Sequence, residues 1–435
     1  MHLASRTRRP LALAATLPLA LLTACSTTGD TAAPTSAPSS SAPSSTTAAD
    51  GATVETGATE AAAASPRLAI SYDGGVQVLD ATTLEVLADE EFEGFTRLNP
   101  AGDGRHFLVS GKGGFHVLDG GSWEQPHGDH SHYYTAEPRA TGTVFAAEEP
   151  GHVVTHAGRT TLFDDGTGNV VGFDSTDLED DARTMRTYTT PAAHHGVAVE
   201  LQDGRMVVSE GTVDARTGIR VLDAQNAEIA RNDTCPSVHG ETVAADEAVV
   251  IGCTDGVLVY RDGVITKVAS PDAYGRVGNQ FGTEESPIVL GDYKTDPDAE
   301  VELTTRVSLI DTTTAQLRLV DLPSSYWYRS LGRGEDGEGV VLGTDGALHV
   351  IDTAAGSVTR SVPVIAPWEV QEDWQSPQPQ VFTMDGTAYI TDPAAKAVHA
   401  VDIETGEVFE SADLTVVPNE LTGVPGEVDD SAAGA

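Results

Sequence analysis

The residues best equipped for chemistry lie in one run, His127-Gly128-Asp129-His130-Ser131-His132, followed by Tyr133 and Tyr134. Three imidazoles and a carboxylate this close together are good donors for a borderline-soft divalent ion. Two later clusters echo the run: His194-His195-Gly196, and His239-Gly240-Glu241 shortly after Cys235. Six of the 13 histidines therefore fall in three short segments bounded by glycine, proline or small polar residues. A zinc site needs three or four donors within about 2.0–2.3 Å of one point, so these segments must converge if they serve one ion. The simplest alternative is three polar loops whose histidines bond to backbone.

The first segment reads as a loop, because Pro126 and Gly128 punctuate it. His127, Asp129, His130 and His132 can fold back on one ion, or His130 and His132 can share a face while Asp129 points elsewhere. Adjacent His194 and His195 face opposite sides of an extended chain, so one of them reaches a shared site. His239 and Glu241 share a side; one can ligate while the other accepts the hydrogen bond that fixes an imidazole tautomer. Zinc suits this set better than copper, which often recruits Met or Cys, or calcium, which wants an oxygen cage. His116, His349 and His399 sit at ordinary strand positions and read as packed or surface residues. His106, His152 and His156 rank only slightly above them as ligands.

The elements that must position these side chains are strands. A phrase recurs: a turn residue, alternating β-branched residues, then an aspartate. It appears at 75–80, 114–119, 218–223, 306–311, 347–352 and 397–402, with variants at 160–164 and 256–261. Its period of two is that of half-buried strands, and most copies lead through a polar turn into another strand. Repeats spaced by roughly 40 to 50 residues predict an all-β fold, a single β-propeller of eight blades, with seven as the alternative. The strand before each phrase, such as 105–110 and 205–209, is expected to be the innermost one. The only weak helical signal lies around Ser175 to Thr184. In this arrangement the histidine segments open onto one end of the ring.

The ends of the chain read differently. Residues 1–24 form a signal peptide with a basic start (Arg6, Arg8, Arg9) and a short apolar stretch from Leu11 to Leu22. Leu22-Thr23-Ala24-Cys25 resembles a bacterial lipobox, which predicts lipidation at Cys25 and anchoring to the outer face of the cell membrane, or secretion if the signal is an ordinary one. Residues 25–66, rich in Ser, Thr, Ala and Pro, are expected to be a flexible tether. The propeller is assigned to 67–422 and a disordered acidic tail to 423–435. With Cys25 modified, Cys235 and Cys253 remain as a pair in an oxidising compartment, which predicts a disulfide. A formal charge of -41 argues against nucleic-acid or anionic-membrane binding.

The order His-Gly-Asp-His-Ser-His at 127–132, Ala-His-His-Gly-Val-Ala-Val at 193–199, Cys-Pro-Ser-Val-His-Gly-Glu at 235–241 and Gly-Cys-Thr-Asp-Gly-Val at 252–257 resembles the secreted zinc metallochaperone family AztD. The resemblance runs from about Leu68 to Leu414. It implies a propeller that binds Zn2+ outside the cytoplasmic membrane and passes it to the solute-binding protein of a zinc ABC transporter. It assigns the 127–132 segment, His194, His195 and His239 to metal handling, and Cys235 with Cys253 to the bridge. A monomer without catalytic residues is expected. The competing readings are a metal-dependent hydrolase or lactonase, with Glu241 or Asp129 as base, and a non-catalytic interaction propeller. Against the enzyme, the chain has no His-Glu-x-x-His helix and no nucleophile elbow. Of the other polar stretches, the acidic run 292–300 reads as a solvated loop and the tryptophan-bearing 367–379 as an interface candidate.

Overall fold

In the computed structural model, which describes residues 55–299 and 301–428, the alternating phrases become strands of eight sheets, each with a four-stranded antiparallel path, one of them carrying the short parallel strand Gly275–Arg276 beside it. Blade 1 is Leu421–Val424, Arg67–Tyr72, Gly75–Asp80 and Val86–Glu91, written from the axis outward. Blade 2 is Arg97–Pro100, His106–Gly111, Gly114–Asp119 and Arg139–Ala146; blade 3 is Pro150–His156, Arg159–Asp164, Asn169–Asp174 and Arg186–Thr189. Blade 4 runs from Ala198–Glu200 to Glu228–Asn232, and blade 5 from His239–Ala244 to Val264–Ala269. Blades 6, 7 and 8 start at Gln280, Tyr326 and Val381.

No single sheet can bury both of its faces, and the packing shows how the ring solves this. Each hydrophobic cluster joins two neighbouring blades. Leu108, Phe115 and Val117 of blade 2 meet Leu162 and Phe173 of blade 3, and Phe163 of blade 3 meets Met206 and Val208 of blade 4. The series continues around the ring. It closes where Leu68, Ile70 and Leu79 of blade 1 pack on Tyr389, Val398 and Ala400 of blade 8. The outermost strands alternate exposed and half-buried residues, as at Val86–Glu91 and Val408–Asp413, which is the pattern of a half-solvated edge. Closure is made by the end of the chain: Leu421 pairs with Ile70 and Val424 with Arg67.

Three sequence expectations are corrected. The strands at 105–110 and 205–209 are second in their sheets, and a shorter strand lies inside each of them, Arg97–Pro100 and Ala198–Glu200. In blade 3 the phrase at 160–164 is also the second strand, its place as third being taken by Asn169–Asp174. The boundaries at both ends differ as well. Thr59–Ala61 is a strand pairing with His130–Thr135, and residues beyond 422 complete the innermost strand of blade 1, with Val424 buried. Composition pointed away from structure in both stretches because each takes its hydrogen bonds from a distant strand rather than from a core of its own. The weak helical signal is one turn of 3-10 helix at Ser175–Asp177. Cys25, the signal and most of the proposed tether lie outside the described residues.

All eight innermost strands start at the same end of the ring, here called the upper end. Cys235 and Cys253 form a disulfide between the segment leading into His239 and the end of the neighbouring strand. Both cysteines are buried against Val238, Val249 and Ile251, so the bridge ties the upper end of blade 5 to its core.

Candidate metal centre

At the upper mouth three imidazoles converge from three blades. His152 lies in the first strand of blade 3, His195 precedes the first strand of blade 4, and His239 opens blade 5. Their ring centroids are 5.0 Å (His152–His195), 5.2 Å (His195–His239) and 6.0 Å (His152–His239) apart. In every case Nδ1 already has a partner. His152 Nδ1 lies 3.0 Å from Glu241 Oε1, His195 Nδ1 2.5 Å from Asp165 Oδ2, and His239 Nδ1 2.6 Å from the Gly278 carbonyl. A donor proton on each Nδ1 leaves each Nε2 as an unprotonated lone pair, the tautomer that metal-bound imidazoles adopt when a carboxylate or carbonyl stands behind them.

Local backbone explains how the side chains arrive. A register shift separates His239 from Glu241, with Gly240 between them at φ +73. The bulge turns Glu241 toward His152 instead of His239. Gly196 permits the close approach of Phe163, since a Cβ there would lie 2.3 Å from the ring. The charges differ across the trio. Burial would depress His152, but the Glu241 carboxylate outweighs it and raises its pKa. Burial, reinforced by the neighbouring His152 imidazole, pushes His239 well below its ordinary value and keeps it neutral. His152, His195, Asp165 and Glu241 line a cavity of about 540 Å³ together with Arg97 and Trp374.

His194 takes no part. It is buried on the other side of the chain, with Nδ1 2.9 Å from the Ala192 carbonyl, Nε2 2.9 Å from Ser209 Oγ, and its ring against Phe163. The alternation of an extended chain separates it from His195 as expected. His152, ranked low as a ligand in the sequence, stands beside His195 and His239. Its only signal was a glycine-flanked position at the start of a strand, and its partner Glu241 is 89 residues away.

The first histidine run is elsewhere. It forms a hairpin, Ser122–His127 with His130–Thr135, and not an irregular loop. Gly128 at φ +66 makes the tight turn. Pro126 is tolerated because its strand is the edge of a three-stranded sheet. His130 and His132 share a face, and with His127 they place ligand atoms within 4.8 Å of one another. Asp129 is fully exposed at the turn and 3.2 Å from His130 Nδ1, while His132 Nδ1 lies 2.8 Å from Glu60 Oε1.

This hairpin belongs to the lower end of the ring. It leaves blade 2 after Asp119, which pairs with His106 at the bottom of the sheet, whereas Gly111 and Gly114 pair at the top. Trp123 and Pro126 line a cavity with His106, Gly158 and Gln202, all at lower strand ends. The expectation that the three histidine segments unite at one end over a single ion is therefore overturned. Two imidazole trios occupy opposite ends. At the lower end of the first strand of blade 3, His156 is held between Glu247 (3.0 Å) and Glu284 (3.3 Å), so both of its ring nitrogens are engaged.

Over 363 aligned residues the sequence is 24% identical to the zinc chaperone AztD of Citrobacter koseri, covering 81% of this chain and 84% of that protein. The fold matches the crystal structure of Citrobacter koseri AztD with a TM-score of 0.73 and 23% identity, over 83% of this chain and 98% of that one. The structure of apo AztD from the same organism matches with a TM-score of 0.71 and 22% identity, over 83% and 98% of the two chains. The dihydro-heme d1 dehydrogenase NirN shares the architecture at a TM-score of 0.52 and 11% identity, over 82% of this chain and 75% of that one. No protein-family profile matches the sequence. The resemblance to AztD read from the histidine motifs thus extends across the folded domain.

Proposed function

We propose that this protein is an extracytoplasmic zinc chaperone that carries Zn2+ at the upper mouth and delivers it to the solute-binding protein of a zinc ABC transporter. The observation that carries the reading is the arrangement of His152, His195 and His239, whose rings lie 5.0–6.0 Å apart with each Nδ1 held from behind. Similarity to a zinc chaperone over most of both chains supports it.

Three nitrogen donors leave one tetrahedral position for water or an incoming ligand. That is what a carrier needs, because a partner's side chain can bind before the last imidazole lets go. His195 is over a third exposed at its side chain and reachable through the mouth. Ligand exchange of this kind requires no general base, and the proposed role is non-catalytic. Of the other sequence candidates, His127, His130 and His132 are proposed as a second, more weakly held site, with Asp129 at its margin; Glu241 is proposed to orient His152, and His194 is released from metal binding. Anchoring through Cys25 is retained as part of the proposal.

Titration of the metal-free protein with Zn2+ by calorimetry tests the reading. Saturable binding that is abolished at the tighter site by His195→Ala with His239→Ala is expected. Unchanged binding in that double variant would remove the upper mouth from consideration.

A further inference from the structure

In a chain with 25 Lys and Arg against 66 Asp and Glu, cations are scarce and mostly engaged. Arg67 holds Asp80, Arg105 holds Asp119 and Arg220 holds Glu210. Others, such as Arg318, Arg333 and Arg360, are held by backbone carbonyls, but among the described residues the Arg216 and Arg276 guanidinium groups have neither an ion pair nor a side-chain hydrogen bond. Arg216 starts opposite Gly211, at the upper end of blade 4. Arg276 packs over Gly278, where a Cβ would lie 3.0 Å from its Nε, and Gly278 is the residue whose carbonyl accepts the hydrogen bond from His239 Nδ1. Lys294 joins them through two backbone hydrogen bonds to Arg276, and its ammonium sits 5.0 Å above the Tyr328 ring.

The nearby acids are otherwise committed. Asp165 accepts from His195 and the Gly196 amide, and Asp292 from the Gly278 and Asn279 amides. Burial and the charge of Arg276 together hold Arg216 below the usual arginine range. A half-buried guanidinium without a carboxylate partner gains from an incoming one, which it can bind in fork geometry. Across the mouth Trp374 is 46% exposed, leaning on Phe95 at 5.3 Å, and it lines the same cavity as His152 and His195. Lys294 and Trp374 also line one pocket, and cationic groups with an exposed aromatic ring beside the proposed metal-binding mouth make a rim suited to a protein partner.

We infer that Arg216 and Arg276, flanked by Lys294, dock an acidic, histidine-bearing loop of the receiving protein, setting its ligand beside His195 and His239. This inference rests on the zinc-carrier reading and names the chemistry of the partner. Overall the chain repels anions, so an acidic segment is drawn in only where this arc outweighs the mean field.

The test uses full-length zinc-loaded protein and two peptides with the same two histidines, Ac-Glu-Asp-His-Gly-His-Asp-Glu-NH2 and Ac-Gln-Asn-His-Gly-His-Asn-Gln-NH2, each rate being divided by that peptide's rate of zinc removal from a small chelator. Rates of zinc removal are followed by stopped flow. The acidic peptide is expected to act about tenfold faster on the wild type, and the advantage should vanish in Arg216→Gln with Arg276→Gln while zinc stoichiometry is kept. An acidic peptide no faster than the neutral one, or an advantage that survives the double substitution, overturns the inference. So does equal acceleration by acetate alone, which would mark a small-anion site. If the wild type takes up no zinc, the carrier reading fails before any peptide is added.

Discussion

The Glu241 carboxylate of blade 5 meets the His152 imidazole of blade 3 at 2.9 Å, and Asp165 of blade 3 meets His195 at the entry to blade 4 at 2.5 Å. Each acid stands behind a donor nitrogen and leaves the far nitrogen to the cavity. Such supporting carboxylates contribute about 10–100-fold to metal affinity. Glu241→Gln and Asp165→Asn are therefore each expected to weaken the tighter zinc site by about that factor without changing stoichiometry. Calorimetric constants equal to wild type in both variants would show that the acids do not orient ligands.

The lower hairpin is expected to act independently. Replacing His127, His130 and His132 by alanine removes exposed side chains from an edge hairpin, so the melting temperature should stay within the change of about 0.5 kcal/mol usual for surface substitutions. Zinc stoichiometry should fall by one equivalent, and the affinity of the upper site should not move. A simultaneous loss at the upper site would mean that the two trios are coupled through the ring.

His106 supplies a pH signature for stability. Burial alone would lower its pKa, but Asp103 at 2.5 Å, with Glu179 and Asp119 nearby, carries it up to about 9 from the ordinary 6.5. Burial would raise Asp103, and the His106 charge with two backbone amides holds it below its usual range instead. A raised imidazole pKa stabilises the fold fully below about 6.5, and the contribution disappears as pH climbs through about 9. The lowered Asp103 adds stability above the ordinary carboxylate range that is lost on acidification. The melting-temperature difference between wild type and His106→Gln should thus shrink between pH 6.5 and 9; a difference independent of pH would contradict the assignment.

Removing the disulfide should cost about 3 kcal/mol, the chain-entropy value for a loop of this size. Cys235→Ala with Cys253→Ala is expected to lower the denaturant midpoint accordingly and to weaken zinc binding at His239, since the bridge ties the segment leading into it. Denaturant titration reads the first effect and calorimetry the second. A midpoint equal to wild type would show that the buried core of blade 5 holds this segment without the bridge.

Ring closure gives a further test. A chain ending at Asn419 lacks the innermost strand of blade 1 and exposes the backbone of Arg67–Tyr72 as an unpaired edge. Such a chain is expected to aggregate or to melt with a broadened transition, as measured by light scattering and calorimetry. A cooperative, soluble monomer would show that the side-chain packing between blades 8 and 1 is sufficient by itself.

Much of this was legible in the chain order of residues. Alternation at 75–80, 114–119 and their copies determined strands, and the repeat determined a ring of sheets, because a strand's side chains obey a local period of two wherever it lies. The split between His194 and His195 follows from the same rule. Pairing of Cys235 with Cys253 was readable by elimination. Which end of the ring each histidine segment faces was decided only by the tertiary structure, for it depends on whether the chain leaves its blade at the top, as before His195 and His239, or at the bottom, as after Asp119. The partnership of His152 with Glu241, and of Leu421–Val424 with Arg67–Tyr72, had no local signal either. These contacts join residues distant in sequence, and their energy exists only once the ring has brought the strands side by side.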